Sequence, residues 1–102
     1  MTNEELIEIM ETYPDKLATA KLVWGKAIKN REMTEGVRHM EIKAKMEVDG
    51  KKCTTDDLRA MVKADMSCFD ASMAEIAAES EYIRINETLL STKKIAGLRT
   101  AF

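Results

Sequence analysis

This sequence has little of what turns or cross-links a chain: one proline, four glycines, two cysteines and one histidine in 102 residues. Scarce Gly and Pro exclude a barrel or sandwich of many short strands, which needs turn residues every ~8–12 positions. Two thiols and one imidazole without short spacing make no zinc site, and there is no glycine-rich phosphate loop or carboxylate pair of catalytic type. No apolar run reaches the roughly 18 residues that cross a membrane, and no basic-then-apolar leader opens the chain. These absences lead us to expect a cytoplasmic, non-enzymatic protein with no membrane contact, no cofactor and no metal. What is present is 45% apolar and 33% charged residues, enough for one domain over 1–102 with a modest core.

The net charge of −2 conceals a blocked pattern. Glu4, Glu5, Glu8, Glu11 and Asp15 open the chain without a Lys or Arg among them, and Lys16, Lys21, Lys26, Lys29 and Arg31 follow. Blocks of opposite sign attract within a Debye length of about 8–10 Å, so these segments are suited to lie against neighbours of the other sign.

Thr2, with Glu5 three positions on, is a helix-start pattern. Leu6, Ile7, Ile9 and Met10 give the apolar side of a short helix over about 3–13. Pro14 is expected to end it, because the residue before a proline is pushed out of helical geometry. Asp15 then caps a long helix over about 16–48, with a seam read as Ala20, Val23, Ala27, Asn30, Val37, Met40, Ala44 and Val48. Gly36 is a weak point in it. Residues 40–48 also alternate apolar and polar like a strand, but the segment after Gly50 offers no alternating partner face, and the helix is the better reading. A turn over 49–53 uses Gly50 in the left-handed conformation, and Thr54 or Thr55 caps a second long helix over about 55–97.

In that last helix Val62, Phe69, Ile76, Ile83 and Leu90 fall at successive sevens, the spacing of a coiled-coil seam. A second stripe, Ala78, Tyr82, Ile85, Leu89 and Ala96, needs another cover. The expected fold is therefore all-α: a long, coiled-coil-like antiparallel helical hairpin whose contacting residues have numbers summing to about 103, with the short N-terminal helix folding back to make a three-helix base. The two-helix arm over 33–72 then lacks cover. Met33, Ile42, Met46, Met66 and Met73 are the candidate protein-interface residues, for a second copy in a homodimer or another protein partner.

His39 is placed near Asp65 as an ion-pair partner. Cys53, beside Lys51 and Lys52 at a helix start, has the setting of a lowered thiol pKa, but Cys68 is too far along the helix to bridge to it. Lys43, Lys45, Lys51, Lys52, Arg59 and Lys63 gather toward the turn and form a candidate nucleic-acid-binding set. The acids Glu41, Glu47, Asp49, Asp56 and Asp57 share that region, and no aromatic residue is there to stack on bases.

The run Asp49-Gly50-Lys51-Lys52-x-Thr54-x-x-Asp57-x-Arg59-Ala60-x-Val62, the acidic alanine-rich helix after it and the ending Leu89-Leu90…Ile95…Leu98-Arg99 resemble small helical-hairpin proteins encoded by bacteriophages and prophages, over roughly residues 30–100. The resemblance implies an accessory factor of phage replication, recombination or counter-defence. It carries no catalytic residues. It points first to a protein that binds and inhibits or modulates a host defence or nucleic-acid-processing complex, as anti-CRISPR proteins do. The other expectation is a recombination or replication accessory that touches single-stranded DNA through the basic turn.

Overall fold

The structure, a computed structural model, describes residues 1–52 and 54–100. It is all-α: α1 runs Asn3–Val48, α2 Thr55–Ala64 and α3 Met66–Thr100, with no strand among the described residues. Two long helices and one short one form the expected long helical hairpin, but the short helix is α2 and not an N-terminal one. Pro14 lies inside α1, which continues through it and through Gly36. The proline ring is exposed, as is Met10 one turn earlier. The backbone bond that Pro14 cannot make is therefore lost where water can replace it. The separate helices over 3–13 and 16–48 are one.

The helix start at Thr2 forms as read: its Oγ1 accepts the Glu5 N–H at 3.2 Å. The end of α1 also follows the sequence. Gly50 has φ +68°. The Lys51 N–H reaches the Met46 carbonyl at 3.0 Å and the Gly50 N–H the Glu47 carbonyl at 3.1 Å, a paired closure that leaves few orphan carbonyls at the turn. Thr54 caps α2, its side chain accepting the Asp57 N–H at 3.1 Å. Cys53, the last residue of the expected turn and a candidate reactive thiol, lies outside the described residues.

The expected helix over 55–97 is interrupted at Asp65, whose extended backbone (φ −68°, ψ 132°) separates α2 from α3, and α3 continues to Thr100. Asp65 starts α3 with its own side chain: Oδ2 accepts the Cys68 N–H at 3.2 Å, three residues on, as an N-cap does.

The chain forms two compact units. The first is Met1–Trp24 with the chain from Ala77 onward. Two helical segments make it, not the three expected, because α1 does not fold back at Pro14. Its core is Leu6, Ala20, Ala78, Ile85, Leu89 and Thr92. Trp24 packs on Tyr82 with ring centroids 5.3 Å apart, and the Arg99 guanidinium donates to the Asn3 side chain and the Met1 carbonyl. The second unit is Gly25–Ile76. Its core is Leu58, Val62, Cys68 and Ala71. Arg31 pairs there with Glu75, and Arg38 with Asp65. Within each unit the pairings follow the antiparallel register in which residue numbers sum to about 103.

The inward faces differ from the expected seams. On α3 the covered stripe is Cys68, Ala71, Ala78, Ile85 and Leu89, whereas Phe69, Ile76, Ile83 and Leu90 are exposed. Of the sevens, only Val62 is buried. On α1 the covered line runs through Leu6, Tyr13, Leu17, Ala20, Trp24, Arg31, Arg38, Ile42 and Met46, while Val23, Asn30, Val37, Met40, Ala44 and Val48 face out. Small residues explain the choice. Buried Ala20, Ala71 and Ala78 let helix backbones approach, and bulky side chains at those layers would hold them apart.

Candidate protein-interaction surface

Asp65 organises the second unit. Its carboxylate receives the Arg38 guanidinium, Nε to Oδ1 at 2.9 Å, while the other oxygen holds the Cys68 amide. Partial burial pushes the Asp65 carboxyl up, but the Arg38 and Cys68 hydrogen bonds outweigh it and leave the group below the ordinary carboxylate range. Arg38, also bound to Glu41, is held above its ordinary value first by Asp65. The partner of Asp65 is thus Arg38, not His39. Two turns earlier Arg31 bridges Glu35, at 3.3 Å, and Glu75, and the Glu75 hydrogen bond raises its pKa. Cys68 is 2% exposed, and burial, then the Asp65 charge, push its thiol up, so it is an inert packing group rather than a nucleophile.

With charged groups sharing the inner faces with Leu58 and Val62, several large apolar residues of this unit lie outside. On α1, Met33 is 69% and Met40 72% exposed, with Val37 between them on the same face. On α3, Met66 (69%), Phe69 (53%), Met73 and Ile76 (54%) occupy consecutive three- and four-residue steps, so they form one continuous stripe along three turns. Of the five interface residues read from the sequence, Met33, Met66 and Met73 stand on these exposed faces. Ile42 and Met46 do not. They are half-buried and continue the inward line of Arg31 and Arg38, since four-residue steps from Arg38 lead through both. Val37, Met40, Phe69 and Ile76 belong to the exposed faces but were assigned to the inner seams. The signal that distinguishes them is the Arg31, Arg38, Asp65 and Glu75 set, which has opposite charges at matching antiparallel heights.

The six basic candidates Lys43, Lys45, Lys51, Lys52, Arg59 and Lys63 are all exposed. Arg59 and Lys63 come together with His39 around a recess of about 370 Å³ floored by Gly36 and Val62, with Glu32 and Glu35 on its rim. A Cβ at Gly36 would meet nothing within 4 Å, so there is open space over this position. In the first unit a groove of about 530 Å³ runs over Ala20, Val23, Ala78 and Ile85, edged by Lys16, which lies over the Tyr13 ring at 4.8 Å, and by the Glu81–Arg84 pair at 2.6 Å. Both hollows are lined by charged residues of both signs. Among the described residues no group of three His, Cys, Asp or Glu is placed to hold a metal ion, and no helix is long and apolar enough to cross a membrane.

The sequence matches no family model, and no curated protein or solved structure is significantly similar to it.

Proposed function

We propose that this chain is a non-enzymatic protein-binding module that recognises its partner through the exposed α1 face of the second unit. The observation that carries this reading is the row Met33, Val37 and Met40 at helical spacing, left in water by a unit whose inner faces are partly charged. Met is flexible and polarizable, which suits an adaptable contact, and such rows dock against amphipathic helices or apolar grooves. The hairpin motif from Asp49 to Val62 favours a phage-type accessory factor, so the partner is a host defence or nucleic-acid-processing complex, inhibited or modulated in the host cytoplasm as by an anti-CRISPR protein. Photo-crosslinking from positions 33 and 40 in host lysate, followed by mass spectrometry, tests it. One host complex is captured from both positions and lost in Met33→Glu/Met40→Glu. Capture that ignores the double variant refutes the reading.

The exposed basic set favours a second reading, an accessory of DNA recombination or replication contacting single-stranded DNA. Lys43, Lys45, Lys51 and Lys52 form no ion pair among the described residues. Affinity for a single-stranded oligonucleotide then falls steeply, by on the order of 10²-fold, between about 50 and 200 mM salt. No binding at low salt removes this reading.

A further inference from the structure

The recess of about 370 Å³ in the second unit gathers three basic side chains from two helices. α1 lines it with Glu32, Glu35, Gly36 and His39, a stretch of about 10 Å at 1.5 Å per residue. α2 runs back from the turn and lines it with Arg59, Val62 and Lys63. His39 is the last of these residues on α1 and Arg59 the first on α2, so both lie toward the turn, with Lys63 one helical turn further in. Glu32 lies at the opposite end.

These bases are not neutralised from within the unit. Arg59, Lys63 and His39 form no ion pair among the described residues, and Asp56, three positions before Arg59, forms none with it. The carboxylates of the neighbouring turns are held by other groups: Glu35 by Arg31, and Glu41 and Asp65 by Arg38. The turn-side end therefore carries two uncompensated positive charges with a half-buried imidazole beside them.

That end has the chemistry of a seat for a phosphate monoester, which carries about −1.5 to −2 charges at neutral pH and three acceptor oxygens. Arg59 offers a planar fork, Lys63 a point charge and His39 a ring N–H, so two fixed cations balance the dianion and each oxygen has a donor. A carboxylate would leave one cation unbalanced. Val62 and the open space over Gly36 receive the body of the ligand, and Glu32 accepts from a hydroxyl on it. The volume is at the small end of the roughly 300–1,000 Å³ of ligand pockets, which suits a body of one sugar-sized ring.

We propose that the recess between α1 and α2 binds a small hydroxylated phosphate monoester, with its phosphate on His39, Arg59 and Lys63 and its body over Gly36 and Val62. This rests on neither reading above, because Met33, Met40, Lys43, Lys45, Lys51 and Lys52 line no part of the recess.

Titration of the full chain with inositol monophosphate, followed by backbone amide and Arg side-chain resonances, tests it. The Gly36, His39 and Arg59 signals shift together and saturate with one Kd. Arg59→Ala/Lys63→Ala, at two exposed positions, weakens binding by about tenfold or more, the loss that charge-assisted hydrogen bonds imply. Gly36→Leu fills the floor without altering a charge and weakens binding by a similar factor, while the helix keeps its stability because leucine is the better helix former. Lys51→Ala/Lys52→Ala leaves the affinity unchanged. Signals that drift without saturating, an equal response to sulfate at matched ionic strength, or a Gly36→Leu variant of unchanged affinity overturns the proposal. Crosslinking of a host protein from α1 is independent of all three results, so their failure leaves the partner reading standing.

Discussion

The two units solve helix pairing by opposite means. In the first, Leu6, Ile85, Leu89 and the Trp24–Tyr82 contact put bulky apolar groups between the helices. In the second, part of that space is occupied by Arg31–Glu75 and Arg38–Asp65, and methionines and a phenylalanine are turned outward. Partly exposed ion pairs stabilise little, at about 0–1 kcal/mol each, but they fix register by requiring opposite charges at set heights. Both units leave large apolar residues in water, Leu22, Val23 and Leu90 in the first and Met33, Met40 and Met66 in the second, so what distinguishes them is the charge that sets register in the second.

The sharpest test uses neighbours in sequence that point opposite ways. Leu89→Ala removes a side chain that is 4% exposed and costs about 3 kcal/mol, while Leu90→Ala, at an exposed position, changes monomer stability by less than about 0.5 kcal/mol. Denaturant unfolding followed by the fluorescence of Trp24, the only tryptophan, measures both in the first unit. Equal costs would erase the distinction between the inward and outward stripes.

Smaller effects probe the second unit. Gly50→Ala forces a Cβ into a left-handed turn and costs about 1–2 kcal/mol in thermal unfolding. Gly36→Ala goes the other way: its methyl enters open space, so the helix gains about 1 kcal/mol and the recess beside His39 shrinks.

The smallest change comes from acid. Because the folded-state pKa of Asp65 lies below its unfolded value, its contribution is complete above the ordinary carboxylate range and disappears as pH falls through the lowered value. Acid titration of helicity in Arg38→Met, which removes the guanidinium but keeps the stem, shows unfolding at higher pH than in the wild type. An unchanged profile means that the pair contributes no register energy.

Much of this architecture could be read from local chemistry. Gly50 and Thr54 mark the turn because few other residues meet those backbone demands, and an antiparallel register follows once the turn is placed. Periodicity identifies stripes without saying which is covered. Phe69, Ile76, Ile83 and Leu90 have the spacing of a seam whether the other helix belongs to the same chain or to another. Alanines look like weak seam residues although they permit the closest approach. Pro14 misled because its restriction on the preceding residue is a bias, which a solvent-facing helix position overrides. Asp65 was hidden because an internal N-cap has the same composition as an exposed helical carboxylate. Of the five methionine and isoleucine positions read as uncovered, Met33, Met66 and Met73 are exposed, whereas Ile42 and Met46 are half-buried because they continue the inward line of Arg31 and Arg38.

The closed turn at Gly50 also sets an order of events. Arg38 and Asp65 are 27 residues apart, Arg31 and Glu75 are 44, and Asn3 and Arg99 are 96. The entropy lost in closing a loop grows with its length, so the chain closes as a zipper from the turn: first the charge-registered layers, last the termini. The ion pairs near the turn act as the aligning teeth. An error of one heptad would set Arg38 against Leu58 or Ser72 and Arg31 against Cys68 or Tyr82, leaving each guanidinium without a carboxylate before the Leu6 and Leu89 layers had formed. Correct alignment is thus established early by groups that contribute little to final stability, and the apolar end then locks it.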